Sequence, residues 1–151
     1  MCLPVGPARS VPTPIEDREL RMSCGHKGSH AYVVAFTLDV LVVEDDDDVR
    51  SSCADVLRLA GYWVEEAEDG YAALEHLQLG KVGVMLLDIY MPRLGGLELL
   101  DLLTAPPPVA LLTSHEYNDE VLARRSKVTV FMQKPVLPEQ LLNAVAQIFE
   151  S

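Results

Sequence analysis

The stretch LDVLVVEDDDDVRSSCADVLRLAG, residues 38–61, decides the fold. Its first six residues are apolar apart from Asp39 and rich in β-branched side chains, which is the composition of a strand covered on both faces. Asp47 and Asp48 follow as cap and first-turn residues. Val49, Cys53, Val56, Leu57 and Ala60 then recur at helical spacing until Gly61 stops the helix.

Outward from this strand and helix the same alternation repeats without internal sequence repeats. Residues 63–67 read as a strand and 71–79 as a helix ending at Gly80, and residues 82–87 are again a continuous apolar strand. A leucine-rich helix over 96–103 is broken by the prolines at 106–108, and strand four follows over 109–112. A helix over 116–125, a strand over 128–131 and a helix opened by Pro138 complete the series. In the last helix Leu141, Leu142, Val145, Ile148 and Phe149 share one face. Five strands alternating with five helices predict an α/β fold, a doubly wound five-stranded parallel sheet in the flavodoxin-like order 2-1-3-4-5 with helices on both faces.

The chain of 151 residues is long enough for one apolar core, and 49% hydrophobic against 23% charged residues is the balance of a globular protein. No apolar run reaches spanning length and no secretory block opens the chain, so a cytoplasmic location is expected. Cys2, Cys24 and Cys53 have no paired spacing, which argues against a disulfide framework or a four-cysteine zinc site. Residues 1–38 hold Pro4, Pro7, Pro12 and Pro14 without a sustained apolar period and are expected to be a disordered extension, leaving residues 39–151 as the domain. Cys24, His26 and His30 in that extension are too few and too loosely placed to assign a metal. The net charge is +1 over residues 1–38 and −12 over the rest. So acidic a domain is not expected to bind nucleic acid directly, nor a membrane.

In such a sheet the ligand crevice lies beyond the carboxyl ends of the strands at the topological switch point, here strands one and three. Glu44, Asp45 and Asp88 end those strands. Three converging carboxylates repel one another unless a cation joins them, and an all-oxygen set favours Mg2+, with Mn2+ as the substitute. Strand four ends in Thr113 and Ser114, and Lys134-Pro135 follows strand five, so a hydroxyl and an ammonium reach the same rim. A carboxylate nucleophile, a hard cation, a hydroxyl donor and a lysine meet the needs of phosphoryl transfer to an acid.

Val-Val-Glu44-Asp45, Asp88-Ile-Tyr-Met91-Pro92, Gly96, Thr113 and Lys134-Pro135 together resemble the signature of the bacterial two-component response regulator, receiver (CheY-like) domain family, in its single-domain form. The likeness covers about residues 39–150. It implies that Asp88 is the phosphoacceptor, that Asp45 and Asp88 bind Mg2+ directly with the backbone carbonyl of Tyr90, and that Glu44 acts on the metal through water. Thr113 would bond a phosphoryl oxygen and Lys134 would pair with Asp88, later with the phosphate. Thr113 and Phe131 would be the switch residues that alter a face built from the fourth helix, fifth strand and fifth helix. Expected partners are a sensor histidine kinase or phosphotransfer protein and a downstream protein target, with a phosphorylation-dependent dimer as a further possibility. The chain would catalyse only its own phosphoryl transfer and dephosphorylation. No effector follows the fifth helix as the sequence stands, so output through a partner is expected.

Departures from the pattern bear on that reading. Glu stands at 44 where Asp is more usual, and Arg-Ser-Lys-Val-Thr-Val precedes Phe131 where a Gly-Ala pair is expected. Tyr90 and His115 occupy the positions that overhang the phosphoryl group, and the bulk of Tyr90 predicts slow autodephosphorylation. Arg124, Arg125 and Lys127 would form a basic patch on the switch face, or plain solvated charge. Asp47 and Asp48 are most simply an acidic helix start. Two other functions stay open: a phosphorylation-independent interaction module on the same fold, and a haloacid-dehalogenase-type phosphohydrolase, whose two-residue Asp spacing Asp45 and Asp47 mimic.

Overall fold

A computed structural model describes residues 36–114 and 117–150. The expected extension, with Cys2, Cys24, His26 and His30, lies outside the described residues up to position 35, as does His115.

The elements run β1 Phe36–Val43, α1 Asp47–Leu59, β2 Val64–Ala67, α2 Gly70–Leu79, β3 Gly80–Asp88 and α3 Gly96–Leu102. After these come β4 Val109–Thr113, α4 Asp119–Leu122, a 3-10 turn Arg125–Lys127, β5 Val130–Gln133 and α5 Pro138–Glu150. All neighbouring strands pair in parallel in the order β2-β1-β3-β4-β5. This is the predicted doubly wound sheet.

Successive side chains of a strand point to opposite faces, so continuous apolar strands feed two cores at once. On one face Val40, Val42, Val84, Leu86, Ala110 and Leu112 meet Ala54 and Leu57 of α1 and Leu141, Val145 and Ile148 of α5. On the other, Leu41, Val43, Met85, Leu87, Val109 and Leu111 meet Ala73 of α2, Leu99 and Leu100 of α3 and Val121 of α4. Each fully buried leucine stabilises the fold by roughly 1.5–3 kcal/mol relative to exposure. Asp39, the polar interruption of β1, is buried, and its carboxylate accepts from the Trp63 amide at 2.8 Å, which ties β1 to the start of β2.

Several expected boundaries move. Asp46, rather than Asp47, caps α1, its carboxylate accepting from the amides of Asp48 and Val49. The second helix does end at Gly80, its C-cap, but strand three starts there and not at Val82: Gly80 is extended, φ 175°, and pairs with Phe36. Strand five is Val130–Gln133 instead of 128–131, because its register with β4 is set by Ala110 opposite Val130 and Thr113 opposite Gln133.

The largest difference is α4. Among the described residues 117–125 of the helix expected over 116–125, Asp119–Leu122 is helical, capped by Asn118, and a 3-10 turn follows. That segment buries one residue, Val121, too little apolar surface to fix a longer helix. The turn instead aims Lys127 Nζ at the Leu100 and Leu103 carbonyls, at 2.7 and 3.0 Å, where α3 ends. Arg124 forms a bidentate pair with Asp101 at 2.8 and 2.7 Å. Two of the three residues of the supposed basic patch therefore bind α3, and Arg125 donates to the Leu122 carbonyl. Among the described residues no helix is long and apolar enough to cross a membrane.

Candidate functional site

Strand register brings the predicted residues together. Val43 lies opposite Leu87, so Glu44 and Asp88 are the next residues along their strands. Asp88 lies opposite Leu112, which sets Thr113 one step further on, and Thr113 lies opposite Gln133, which sets Lys134 one step beyond that. The Lys134 amide donates to the Thr113 carbonyl at 2.7 Å. Four strand ends thus deliver their functional groups to one rim.

Glu44, Asp45 and Asp88 each offer a carboxylate oxygen, all within 4.8 Å of one another. Glu44 and Asp88 are buried, Asp45 is exposed, and Thr113 is buried. Lys134 Nζ donates to Glu44 Oε1 at 2.7 Å and lies 3.1 Å from Asp88 Oδ1. The second oxygen of Glu44 accepts from the Asp46 amide at 3.2 Å.

Burial pushes the Glu44 carboxyl above its usual range, and the charge of Asp88 pushes the same way, although Lys134 and the Asp46 amide pull it down. Burial likewise raises Asp88, opposed by Lys134 and helped by Asp45. Lys134 is disfavoured as a cation by burial, yet its two carboxylates outweigh this and raise its pKa. One ammonium therefore leaves the acids short of positive charge. A hard divalent cation bound by oxygen fits that deficit and that donor set, with Glu44, Asp45 and Asp88 as the residues to hold it.

Close approach dictates one glycine of the motif. A Cβ on Gly96 would lie 2.2 Å from the Asp88 carbonyl oxygen, and the Gly96 amide donates to the Ile89 carbonyl at 2.9 Å. Tyr90, two residues after Asp88, is exposed. Phe131, half-buried on β5, meets Tyr117 in a tilted ring contact with centroids 5.1 Å apart.

Sequence reading passed over Tyr117, and also Arg50. The Arg50 guanidinium donates to the Glu44 carbonyl at 2.8 Å, to Asp47 at 2.6 Å and to Glu66 at 3.3 Å, fastening the loop of the acid cluster to α1 and β2. Its spacing three residues after Asp47 was the available signal. Asp47, which the phosphohydrolase reading needs beside Asp45, is engaged by this ion pair instead.

The model of the response regulator receiver domain matches residues 40–146. Response regulator MprA of Mycobacterium ulcerans is 36% identical over 107 residues, covering 68% of this chain and 46% of that protein. The CAI-1 autoinducer sensor kinase/phosphatase CqsS of Vibrio cholerae is 32% identical over 114 residues, covering 71% of this chain and 17% of that protein. The chain spans less than half the length of either relative. Among solved structures, a response regulator receiver domain protein (CheY-like) from Methanospirillum hungatei superposes with a TM-score of 0.67 at 27% identity, over 74% of this chain and 93% of that one.

Proposed function

The chain belongs to the response regulator receiver domain family, and from that premise we propose that it is a magnesium-dependent switch whose Asp88 accepts a phosphoryl group from the phosphohistidine of a sensor histidine kinase or phosphotransfer protein. The observation that supports this most is the convergence of Glu44, Asp45 and Asp88 on one crevice with Lys134 bridging two of them.

Magnesium, when bound, would supply positive charge to neutralise the negative charge that the phosphoryl oxygens carry during transfer. Asp45, Asp88 and the Tyr90 carbonyl are the residues to hold it directly, and Glu44 to act through water. A carboxylate oxygen of Asp88 attacks phosphorus as the nitrogen–phosphorus bond of the donor breaks, and the imidazole leaves as a neutral base after taking up a proton. Lys134 exchanges its contact with Asp88 for one with the phosphoryl group. Thr113 donates its hydroxyl to another phosphoryl oxygen. Water later cleaves the acyl phosphate, so the chain acts on itself alone.

Output follows from the same geometry. Movement of Thr113 toward the phosphoryl group opens space on the β4 side, into which Phe131 turns, giving up its contact with Tyr117. The face of α4, β5 and α5 then changes its affinity for a protein target or for a second copy of the chain. A net charge of −12 beyond residue 38 speaks against nucleic acid as that target.

Incubation with acetyl phosphate, with and without Mg2+, followed by intact mass of wild type and Asp88→Asn tests the reading. One phosphoryl adduct that needs both Mg2+ and Asp88 is expected. No adduct on folded wild type with Mg2+ would reject the switch in favour of a phosphorylation-independent interaction module.

A further inference from the structure

Arg93, five residues after Asp88, has φ 68°. That left-handed conformation is costly for a residue with a side chain and persists only where its surroundings impose it. Its surroundings are visible. The Arg93 guanidinium engages the Asp69 carboxylate through both Nε and Nη2 and reaches Glu68 Oε2 at 3.5 Å.

Asp69 is buried at 3% exposure, and its other oxygen accepts from the Ala72 amide at 2.8 Å as the cap of α2. The next residue adds a backbone tie, the Gly70 amide donating to the Leu94 carbonyl at 2.9 Å. A Cβ on Gly70 would lie 2.8 Å from that carbonyl oxygen and 2.7 Å from the Leu94 side chain, so the approach requires glycine. Residues 89–95 are thus held at three points: at Arg93 by Asp69, at Leu94 by Gly70, and at Ile89 by the Gly96 amide.

A helix cap by itself needs no arginine, since the Asp69 oxygen already satisfies the Ala72 amide. A left-handed position by itself is met at less cost by glycine. The pairing of an arginine in that conformation with a buried carboxylate serves the loop between them. We infer that Asp69 and Arg93 form a latch that fixes the conformation of residues 89–95, the segment whose Tyr90 carbonyl is proposed to join Asp45 and Asp88 at the metal. Both are positioning residues for the metal site. The inference rests on the proposed reading of Tyr90 and Asp88 as metal ligands.

The test uses the full chain with Mn2+ titrated by electron paramagnetic resonance and Mg2+ as competitor. Asp69→Asn keeps an acceptor for the Ala72 amide and removes the charge, while Arg93→Gly removes the guanidinium and relieves the backbone. Thermal melts establish that each variant is folded. Both variants are expected to bind the ions about tenfold more weakly, the order of effect seen when support of a metal ligand is lost. Labelling by acetyl phosphate should then need about tenfold more Mg2+ for half its maximal rate, with the maximal rate at saturating Mg2+ close to that of wild type. Wild-type affinity in both folded variants would overturn the latch, and so would weakening in Asp69→Asn with Arg93→Gly unchanged, which would leave Asp69 a helix cap only. Failure of wild type itself to bind either ion would instead overturn the metal-site reading, and the latch with it.

Discussion

Lys134 sits closer to Glu44 than to Asp88, 2.7 Å against 3.1 Å, so the lysine expected beside Asp88 is shared with the carboxylate that follows β1.

Replacing Lys134 by Met would leave two buried carboxylates facing each other without their cation. In metal-free buffer the loss is expected to be about 2–3 kcal/mol in urea denaturation, scaled down from the cost of breaking a fully buried pair because Lys134 is partly exposed. Added Mg2+ should recover part of this stability, since it replaces the missing charge. Equal stability of the variant and wild type without metal would contradict the shared contact.

A methyl group at position 96 has nowhere to go, because it would lie 2.2 Å from the Asp88 carbonyl oxygen, a backbone atom that cannot swing aside as the end of a flexible side chain could. Gly96→Ala should cost about 1–3 kcal/mol, the range for overpacking, and should slow acetyl phosphate labelling by displacing Asp88. Chemical denaturation and intact mass measure the two effects.

The Asp69 carboxyl gives the clearest pH dependence. Burial works to raise its pKa, but the Ala72 amide and the Arg93 guanidinium prevail and hold it below the ordinary carboxylate range. The folded state therefore ionises at lower pH than the unfolded chain. Its stabilisation is full above the unfolded value, about 4, and is lost as pH falls through the folded value. Asp69→Asn should be less stable than wild type by about 1 kcal/mol at pH 7, and the gap should close toward pH 3. Urea midpoints at both pH values check this.

Lys127 and Arg125 should separate cleanly despite lying two residues apart. Lys127→Met removes the ammonium donor from the Leu100 and Leu103 carbonyls, leaving Leu100 the Leu103 amide at 3.3 Å, and should cost about 1 kcal/mol. Arg125→Ala, an exposed residue at one carbonyl, should change stability by less than about 0.5 kcal/mol. A thermal melt series distinguishes them.

Tyr90 follows Asp88, the proposed acceptor, by two residues and is exposed. Tyr90→Ala should shorten the lifetime of the phosphorylated form several-fold by admitting water, about 1 kcal/mol off the barrier. Loss of the phosphoryl adduct after removal of the donor, followed by mass, gives the rate. An unchanged half-life would remove Tyr90 from control of hydrolysis.

The legibility of this molecule varied along the chain for physical reasons. The strands at 38–43, 82–87 and 109–112 were readable because residues covered on both faces must be apolar almost without interruption. The short α4 was not, because its sequence has helical residues but too few buried contacts to favour helix over the turn that carries Lys127 to α3. Strand five was misplaced by two residues because only its pairing with β4 fixes its register.

By itself the sequence determined the fold class, the strand order expected of it, and the identity of the acids, hydroxyl and lysine at the ends of four strands. Those follow from local pattern and from the rule that parallel strands share one functional edge. Tertiary structure alone decided which of those groups touch: Lys134 shared between Glu44 and Asp88, Arg50 holding the Glu44 carbonyl, and Arg93 fastened to Asp69. The paired residues stand up to 90 positions apart, as Glu44 and Lys134 do, and side-chain contacts at that separation are set by strand register and loop geometry, which no local spacing encodes.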